Sequence, residues 1–469
     1  MKRFFLTISL ALLAFACSPS EGGKPSPVGP AVPDRLSLSA AEFSFPGEGG
    51  SATLDITGPL KPILTGVPAW LKVTEGEYLD YGITITLAAG ENKTDQSLES
   101  QIIVTSGKFK STFTVTQEPG EQGGTVDIVD QTDADLTNPA ACSGAKKVYA
   151  FLRSNSGKKV LSGVQSSGTA NNNDALGRVY ALTGKHPAVS GYDFIFLQYS
   201  PTPSDWSWKV DYGDISAAKG HWNANGLVTY MWHWNVPTSQ QAWENGKKGN
   251  FDGYGFYSKD TAFDISRALT EGTWENEFIL ADIAKVAGYL KLLKDEGIPV
   301  IWRPLHESAG NYDVYGSNGA WFWWGRGGAE PCKKLWKLLR DKLEGEYGLD
   351  NLIWVWTLDA TPGAEKQYSK WYPGNDLVDI VGVDIYAEDT DAKQRQYDAA
   401  VALSGGHKMV TISECGNVPD PLKCLNAKQS WGWFLVWDLD SYALNTNDYW
   451  KTLMASPAVM AREGMPSLK

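Results

Sequence analysis

The chain has 469 residues, 42% hydrophobic and 20% charged, which is long enough for more than one ordinary globular domain. Its formal net charge of −12 and isoelectric point near 5.0 argue against a nucleic-acid-binding protein, which would carry a basic surface. The 20 tryptophans and 20 tyrosines supply flat apolar faces, which can pack a core or stack against sugar rings.

The first 17 residues have the pattern of an export signal, with a basic start followed by the apolar run Phe4–Phe15. Cys17 follows a small residue and resembles the cysteine of a bacterial lipobox, so we expect a lipid anchor on Cys17. The protein is then exported and anchored to the outer membrane, at the cell surface or on the periplasmic face. A simply cleaved signal, giving a secreted or periplasmic soluble protein, is the alternative. Residues 18–34 are rich in proline and glycine, which predicts an extended, flexible tether.

Residues 35–118 contain short alternating runs rich in β-branched residues, which predict a small all-β sandwich. The phrase Gly66-Val67-Pro68-Ala69-Trp70-Leu71 and the ending Phe113–Glu118 resemble the BACON modules of Bacteroidetes surface enzymes. The resemblance implies a spacer or a carbohydrate-contacting module. We favour the spacer, because Trp70 is predicted to pack in the core of the sandwich. A linker follows over residues 119–131.

Residues 132–469 change to apolar runs that alternate with amphipathic helices such as Trp274–Glu296 and Pro331–Leu343. Eight such runs predict a parallel sheet closed into a (β/α)8 TIM barrel. A doubly wound open sheet would instead carry a glycine-rich phosphate turn after the first strand, and Ser166-Ser167-Gly168-Thr169 lacks that spacing. The eight runs are Val160–Gln165, Pro187–Phe194, Leu227–Trp234, Val300–Glu307, Leu352–Asp359, Ile380–Tyr386, Met409–Glu414 and Trp433–Leu439.

Functional residues of such barrels lie at the carboxyl ends of the strands. The predicted ends carry Gln165, Asp193, His233 with Trp234, His306 with Glu307, Asp359, Asp384 with Tyr386, Glu414, and Trp437 with Asp438. Glu307 ends the fourth run and Glu414 the seventh, so the two carboxylates can face each other across the barrel mouth. Two facing carboxylates are the minimum that glycoside hydrolysis requires: one protonates the leaving oxygen, and the other attacks or activates water.

The surroundings of the two glutamates predict different roles for them. The aromatic loop Trp321–Trp324 follows Glu307, and removal from water should raise the pKa of this carboxyl and keep it protonated as the acid. Glu414 needs a positive or hydrogen-bonding partner that keeps it ionised. Arg303 has the same strand parity as Glu307, so we expect Arg303 to pair with Glu414.

No metal is expected, because the five histidines show neither HxH nor HExxH spacing. No cofactor is expected either, because the chemistry uses carboxylates alone. His233 and His306 are instead predicted to hydrogen-bond the sugar. Trp302, Trp354 and Trp356 lie within strands and are assigned to the core, whereas the sugar contacts are assigned to Trp234, Trp324 and Trp437. Pairing and free buried thiols both remain open for the cysteines Cys142, Cys332, Cys415 and Cys424.

The segments that carry a more specific resemblance are Trp302–Glu307, Trp321–Gly325, Trp371–Gly374, Val383–Tyr386 and Ile412–Glu414. Together they resemble glycoside hydrolase family 26, whose members are mainly endo-β-1,4-mannanases. The resemblance implies a retaining double displacement with Glu307 as acid/base and Glu414 as nucleophile. It also implies that His306 takes the place of an asparagine in many related barrels, that His233 and Tyr386 line the subsite at the cleavage point, and that Trp437 stacks beneath its sugar. Around Trp437, the eighth predicted strand departs from the commoner sequence pattern of the family.

The sequence therefore predicts a monomeric hydrolase that acts on β-mannan, with a lipid-anchored membrane attachment and no nucleic-acid partner. Another endo-glycosidase, acting on mixed-linkage β-glucan or β-1,3-xylan, is the alternative within the same class. A non-catalytic glycan-binding surface protein is the alternative from another class. The presence of both glutamates counts against a pure binder, because binding alone needs no paired acid.

Overall fold

The structure is a computed structural model that describes residues 32–47, 49–92, 94, 96–119, 132–166, 172–205, 207, 209–311, 320–360 and 368–469. The chain divides into two compact units, Met1–Gly124 and Thr125–Lys469, and each is described by itself. The predicted signal peptide with Cys17, most of the tether and most of the linker lie outside the described residues.

The first unit is an all-β sandwich. Its strands are β1 (Ser37–Leu38), β2 (Glu42–Phe45), β3 (Gly50–Thr57), β4 (Ile63–Thr65), β5 (Leu71–Glu75), β6 (Gly82–Ala89), β7 (Leu98–Ser106) and β8 (Phe109–Gln117). They form two four-stranded sheets, ordered β1-β3-β6-β5 and β2-β8-β7-β4, in which only the β2–β8 pair is parallel.

The sandwich core follows from the alternation of its strands. In β6 the buried residues Ile83, Ile85 and Leu87 alternate with exposed threonines, because successive side chains of a strand point to opposite faces. Trp70 is half-buried and packs against this core. The small all-β domain predicted from the sequence is confirmed.

The second unit is a (β/α)8 barrel, as predicted. Eight parallel strands pair in chain order, and the last pairs with the first and closes the barrel. They are β9 (Val160–Gln165), β10 (Val189–Asp193), β11 (Leu227–Met231), β12 (Val300–Arg303), β13 (Leu352–Asp359), β14 (Ile380–Ile385), β15 (Met409–Cys415) and β16 (Trp433–Val436). Every residue of these strands is buried, which explains why they read as continuous apolar runs.

Helices and short helical turns lie between the strands. The longest described helix begins after Thr273, whose hydroxyl accepts from the Asn276 N–H, and the chain leaves it at Gly297 with φ of 70°. The helices are α1 (Ser143–Asn155), α2 (Asp174–Thr183), α3 (Ser216–Asn223), α4 (Gln240–Gly246), α5 (Ile265–Ala268), α6 (Trp274–Asp295), α7 (Trp323–Arg326), α8 (Ala329–Arg340), α9 (Tyr368–Trp371), α10 (Gln394–Leu403), α11 (Pro421–Asn426) and α12 (Asn447–Ala455).

Two further observations concern the whole described chain. Among the described residues, no helix has both the length and the apolar character needed to cross a bilayer. The four cysteines whose pairing the sequence left open, Cys142, Cys332, Cys415 and Cys424, are all free thiols.

Candidate active site

The candidate acid Glu307 lies on a turn and not on a strand. β12 ends at Arg303, and both Leu305 and Glu307 have φ of 50°, in the left-handed region. Such conformations cost residues other than glycine about 1–3 kcal/mol each and persist only where surrounding structure holds them. Here the Glu307 N–H donates to the carbonyl of Thr357 on β13 at 3.1 Å. The prediction that the strand runs on to Glu307 is therefore wrong.

The aromatic loop after this turn fixes its main chain. Trp324 donates its indole N–H to the carbonyl of His306 at 2.9 Å, and the Ser308 hydroxyl donates to the carbonyl of Leu305 at 2.5 Å. All four residues are buried. The tryptophan loop therefore holds the strained turn on which Glu307 lies.

A second loop, which follows β11, is joined to the aromatic loop. The main chains of Tyr257 and Phe322 form an antiparallel bridge, and the Ser258 N–H donates to the carbonyl of Trp321 at 2.8 Å. The rings of Tyr257 and Phe322 stack with centroids 5.7 Å apart at an interplanar angle of 17°. The loops after β11 and β12 thus form one paired structure beside Glu307.

Three buried carboxyl groups meet at the carboxyl ends of the strands. Glu307 follows β12, Asp384 lies on β14 and Glu414 on β15, with exposed fractions of 7%, 1% and 5%. One oxygen atom of each lies within 4.8 Å of one from each of the others. Retaining glycosidases hold their two carboxyl groups about 5–5.5 Å apart, and inverting enzymes about 6.5–9.5 Å. The spacing of Glu307 and Glu414 suits direct attack by one of them.

Arg303 lies between two of these carboxylates. Its Nη2 is 2.6 Å from Oε2 of Glu414 and its Nη1 is 2.8 Å from Oδ2 of Asp384. The predicted pairing of Arg303 with Glu414 is therefore confirmed. Tyr386 donates its hydroxyl to the other oxygen of Glu414, so both oxygens of that carboxylate are held. This arrangement fixes the orientation of Glu414 and places a hydrogen-bond donor at each of its oxygens.

The acid candidate is in a different electrostatic environment. Burial, reinforced by the charges of Asp384 and Glu414, holds the pKa of the Glu307 carboxyl well above its usual range, and Arg303 opposes this only in part. Burial also raises the pKa of Asp384, although Arg303 and hydrogen bonds from Ser413 and Glu307 lower it. Arg303 pairs with Asp384 and Glu414 but not with Glu307, so Glu307 is the carboxyl that keeps a proton, as the sequence predicted for an acid under an aromatic loop.

Two histidines, His233 and His306, contact each other at the barrel mouth. His233 is 8% exposed, and its Nε2 lies 3.2 Å from Nε2 of His306, which is 1% exposed. Burial, with His233 and Arg303 adding to it, holds the pKa of His306 well below its usual range, so that ring is neutral. The ring of His306 packs against both Phe322 and Trp324, with ring centroids 4.9 and 5.6 Å away.

The structure corrects two of the assigned tryptophan contacts. Trp234 and Trp324 are both 0% exposed, so neither ring offers a free face to a sugar. Trp234 donates its indole N–H to Asp282 at 2.9 Å, and Trp324 stacks on Phe322 with centroids 4.4 Å apart. Both are structural supports, as are Trp302, Trp354 and Trp356, whose assignment to the core is confirmed.

The aromatic rings that are open at the mouth are other residues. Tyr386 is 45% exposed and Tyr257 is 44% exposed, and Trp437 is half-buried with its ring 5.5 Å from that of His233. Burial and the negative charge of the nearby Glu307 raise the pKa of the Tyr257 phenol. No sequence signal selects Tyr257, because it follows none of the eight predicted strands and lies in a long loop.

The three carboxylates could in principle hold a divalent cation, since oxygen ligands at this spacing suit one. Within the described ranges no other trio of histidine, cysteine or acidic side chains is placed in this way. The guanidinium of Arg303 already contacts two of the three carboxylates. The chain therefore supplies its own positive charge, and the donor set does not require a metal.

A lysine in place of Arg303 should damage the site more than its conserved charge suggests, because one ammonium group cannot bridge two carboxylates as a planar guanidinium does. We expect Arg303→Lys to lower the free energy of unfolding by about 3 kcal/mol, the cost of leaving a buried charge unpaired. Arg178→Lys is the matched control, because Arg178 bridges both oxygens of Asp440 at an exposed site, where the loss should stay below about 1 kcal/mol. Equal losses in urea-unfolding experiments would contradict the role given to Arg303.

Comparison with known proteins gives one matching family and several relatives. The model of glycosyl hydrolase family 26 matches residues 137–463. Mannan endo-1,4-beta-mannosidase A of Piromyces sp is 37% identical over 352 residues, covering 73% of this chain and 52% of that protein. Mannan endo-1,4-beta-mannosidase of Thermothelomyces thermophilus is 34% identical over 339 residues, covering 70% of this chain and 63% of that protein. The chain thus spans about half the length of the first relative and 63% of the second.

Two solved structures are similar to the chain over a complete domain. The GH26 domain of an endo-beta-mannanase/endo-beta-glucanase from Prevotella bryantii has a TM-score of 0.64 at 33% identity, covering 71% of this chain and 99% of that one. A beta-mannanase from a symbiotic protist of the termite Reticulitermes speratus, complexed with gluco-manno-oligosaccharide, has a TM-score of 0.61 at 31% identity. The match covers 72% of this chain and 99% of the protist protein's chain.

Proposed function

Since the chain belongs to glycoside hydrolase family 26, we propose that it hydrolyses β-1,4-mannosidic bonds in mannan, galactomannan or glucomannan with retention of configuration. The observation that carries the proposal is the placement of Glu307 and Glu414, with carboxyl oxygens within 4.8 Å of each other and with opposite environments. The Piromyces and Thermothelomyces relatives are named mannan endo-1,4-beta-mannosidases, which supports mannan as the substrate.

In the first step, Glu307 gives its proton to the glycosidic oxygen while Glu414 attacks the anomeric carbon. The bond between that carbon and the glycosidic oxygen breaks, the shortened chain leaves as an alcohol, and an ester joins the sugar to Glu414. Arg303 and Tyr386 hold the two oxygens of Glu414, so the carboxylate is oriented before the substrate arrives.

In the second step, Glu307 acts as a base. It removes a proton from a water molecule, whose oxygen attacks the anomeric carbon and releases the carboxylate of Glu414. Glu307 ends the cycle protonated, in the form that its raised pKa favours. Two displacements at the same carbon restore its configuration.

The sugar at the cleavage point is assigned to the open side chains at the mouth. We place His233 and Tyr386 along this sugar and Trp437 against its apolar face, since each has some exposed surface there. His306 was predicted to contact the sugar too, but it is 1% exposed, so we assign it a supporting role behind His233.

One alternative substrate has a specific observation in its favour. The Prevotella bryantii protein is named an endo-beta-mannanase/endo-beta-glucanase, so activity on β-glucan is the second candidate. Activity on β-1,3-xylan has no such observation in its favour. A non-catalytic glycan-binding role is weaker because a binder does not require a buried acid next to an ion-paired carboxylate.

Product analysis tests the proposal directly. The protein is incubated with linear mannan, galactomannan, glucomannan, mixed-linkage β-glucan and β-1,3-xylan, and proton NMR records which anomer of the new reducing end appears first. We expect short manno-oligosaccharides with the β-anomer first. If oligosaccharides were released from β-glucan alone, β-glucan and not mannan would be the substrate. If the α-anomer appeared first, the mechanism would not be retaining.

For the ends of the chain we propose that Cys17 carries a lipid anchor to the outer membrane, that residues 35–118 are a BACON-like spacer, and that the protein is a monomer. A Cys17→Ser variant that stays in the membrane fraction would contradict the anchor. Binding of mannan by residues 35–118 alone would contradict the spacer role. A mass by light scattering other than that of one chain would contradict the monomer.

A further inference from the structure

Asp193 lies at the carboxyl end of β10, and its carboxylate makes two contacts with one histidine. Its Oδ1 accepts from the backbone N–H of His233 at 2.9 Å, and its Oδ2 lies 2.6 Å from Nδ1 of the same residue. Both residues are buried, with exposed fractions of 7% and 8%. Because an ionised carboxylate can only accept, Nδ1 of His233 must carry a hydrogen.

The other nitrogen of His233 faces His306. The two Nε2 atoms lie 3.2 Å apart, so one of them carries a hydrogen and the other a lone pair. The remaining nitrogen of His306, Nδ1, is buried and has no hydrogen-bond partner among the described residues. In proteins a buried N–H without an acceptor is rarer than a buried acceptor without a donor. The hydrogen of the neutral His306 ring therefore belongs on Nε2, where it can donate to His233.

We propose that Asp193 is a positioning residue that sets the tautomers of two histidines, with the hydrogen of His233 on Nδ1 and that of His306 on Nε2. This inference rests on the proposed function and deepens it, because His306 directly precedes the acid Glu307. A neutral ring with a bare Nδ1 adds no positive charge and no unpaired donor beside Glu307. A charged ring at this position would favour the carboxylate form of Glu307 and weaken it as an acid.

A single isosteric change reverses the whole arrangement. In Asp193→Asn the His233 backbone N–H still needs an acceptor, so the amide oxygen takes the place of Oδ1. The amide NH₂ then faces Nδ1 of His233, and this donor requires a bare nitrogen there. The hydrogen of His233 moves to Nε2 and donates to His306, whose own hydrogen moves to Nδ1. Shape and volume stay the same.

Nitrogen-15 NMR of histidine-labelled full-length protein at neutral pH reads these tautomers directly, and the chain has only five histidines. In the wild type we expect His233 protonated on Nδ1 alone and His306 on Nε2 alone, and in Asp193→Asn we expect both patterns reversed. His221 is an internal control, because its Nε2 is bonded to the Ala188 carbonyl at 3.1 Å and burial lowers its pKa to about 4. Its signals should not change.

Activity provides the second readout. We expect Asp193→Asn to lower kcat/KM on mannan by about 10- to 100-fold, the loss seen when the outer hydrogen-bond partner of a metal-bound histidine is removed. The melting temperature should fall by a few degrees and the fold should persist, because only the Nδ1–H of His306 is left without an acceptor. A wild-type His233 that is doubly protonated, or protonated on Nε2 alone, would overturn the proposal, even if the variant folds poorly. So would an unchanged pattern in a folded Asp193→Asn. If the tautomers are as stated but mannan is not cleaved, only the proposed function fails.

Discussion

Replacing Glu414 with glutamine should lower kcat on linear mannan by at least about 10⁴-fold, the scale seen when an enzyme loses its nucleophile. The amide keeps the shape of the side chain. Its oxygen can still accept from Arg303 while its NH₂ donates to the Tyr386 hydroxyl, but it cannot form the ester with the sugar. The fold should survive, because Asp384 still neutralises Arg303. Reducing-sugar release and the melting temperature, measured on the same preparation, separate lost chemistry from lost folding.

Glu330→Gln is the matched control for this variant. Glu330 lies in the first turn of α8 at an exposed site, with 75% of its side chain open to solvent, and pairs only with the nearby Lys333 among the described residues. Such a surface pair contributes little, so kcat should be unchanged. If Glu414→Gln cleaved mannan at the rate of this control, Glu414 could not be the nucleophile.

Glu307→Gln should separate two kinds of substrate. On mannan, whose leaving group is an alcohol that needs a proton, kcat should fall by about 10²- to 10⁴-fold, the usual contribution of general acid–base catalysis. On a dinitrophenyl β-mannobioside the leaving phenolate needs no proton, so the first step should persist. Because no base then activates water, the sugar should accumulate on the enzyme, and a burst of one equivalent of phenolate should precede a slow phase.

Mass spectrometry of the enzyme after this burst shows where the sugar is attached. We expect one glycosyl unit on Glu414 in Glu307→Gln and none in the double variant that also carries Glu414→Gln. Equal losses of activity on both substrates, without a burst, would mean that Glu307 is not the acid. Attachment to Asp384 would reassign the nucleophile within the same cluster.

The Glu307→Gln variant also tests the raised pKa of Glu307 through stability. In the unfolded chain this carboxyl ionises near pH 4.3, so above that pH the folded state binds more protons than the unfolded state. The stability that Glu307 contributes is present below the unfolded pKa and is lost as pH rises through the folded one. Compared with wild type, the variant should therefore gain about 1.4 kcal/mol for each pH unit between the two pKa values. A stability difference that stays constant from pH 4 to pH 9 would contradict the raised pKa.

The sequence was sufficient for the barrel because both faces of its strands are buried. That burial makes each strand a continuous apolar run, and seven of the eight predicted runs begin at the residue where the strand begins. The residue at which each strand ends was harder to predict from the sequence. The run Val300–Glu307 contains a turn with two residues at positive φ, and neither Leu305 nor Glu307 is a residue type that signals such a conformation.

The site was predictable as far as it depends on strand ends. The pairing of Arg303 with Glu414 followed from their positions at the barrel mouth, although the parity argument assumed that β12 continues to Glu307. The burial of Trp234 and Trp324 was not predictable, because it depends on which loops fold over them. Asp193 could have been singled out, since it stands at a predicted strand end, but its partner His233 follows the next strand, β11.

The pairing of the two loops beside Glu307 restricts how relatives of this chain can diverge. Tyr257 and Phe322 are joined through main-chain atoms, which do not depend on the identity of either side chain. Substitutions at Tyr257 can therefore change the exposed ring at the mouth without moving the acid. An insertion or deletion in either loop would shift the register of the bridge and require a compensating change in the other. Across homologous sequences, the lengths of these two loops should covary while the residue at position 257 varies freely.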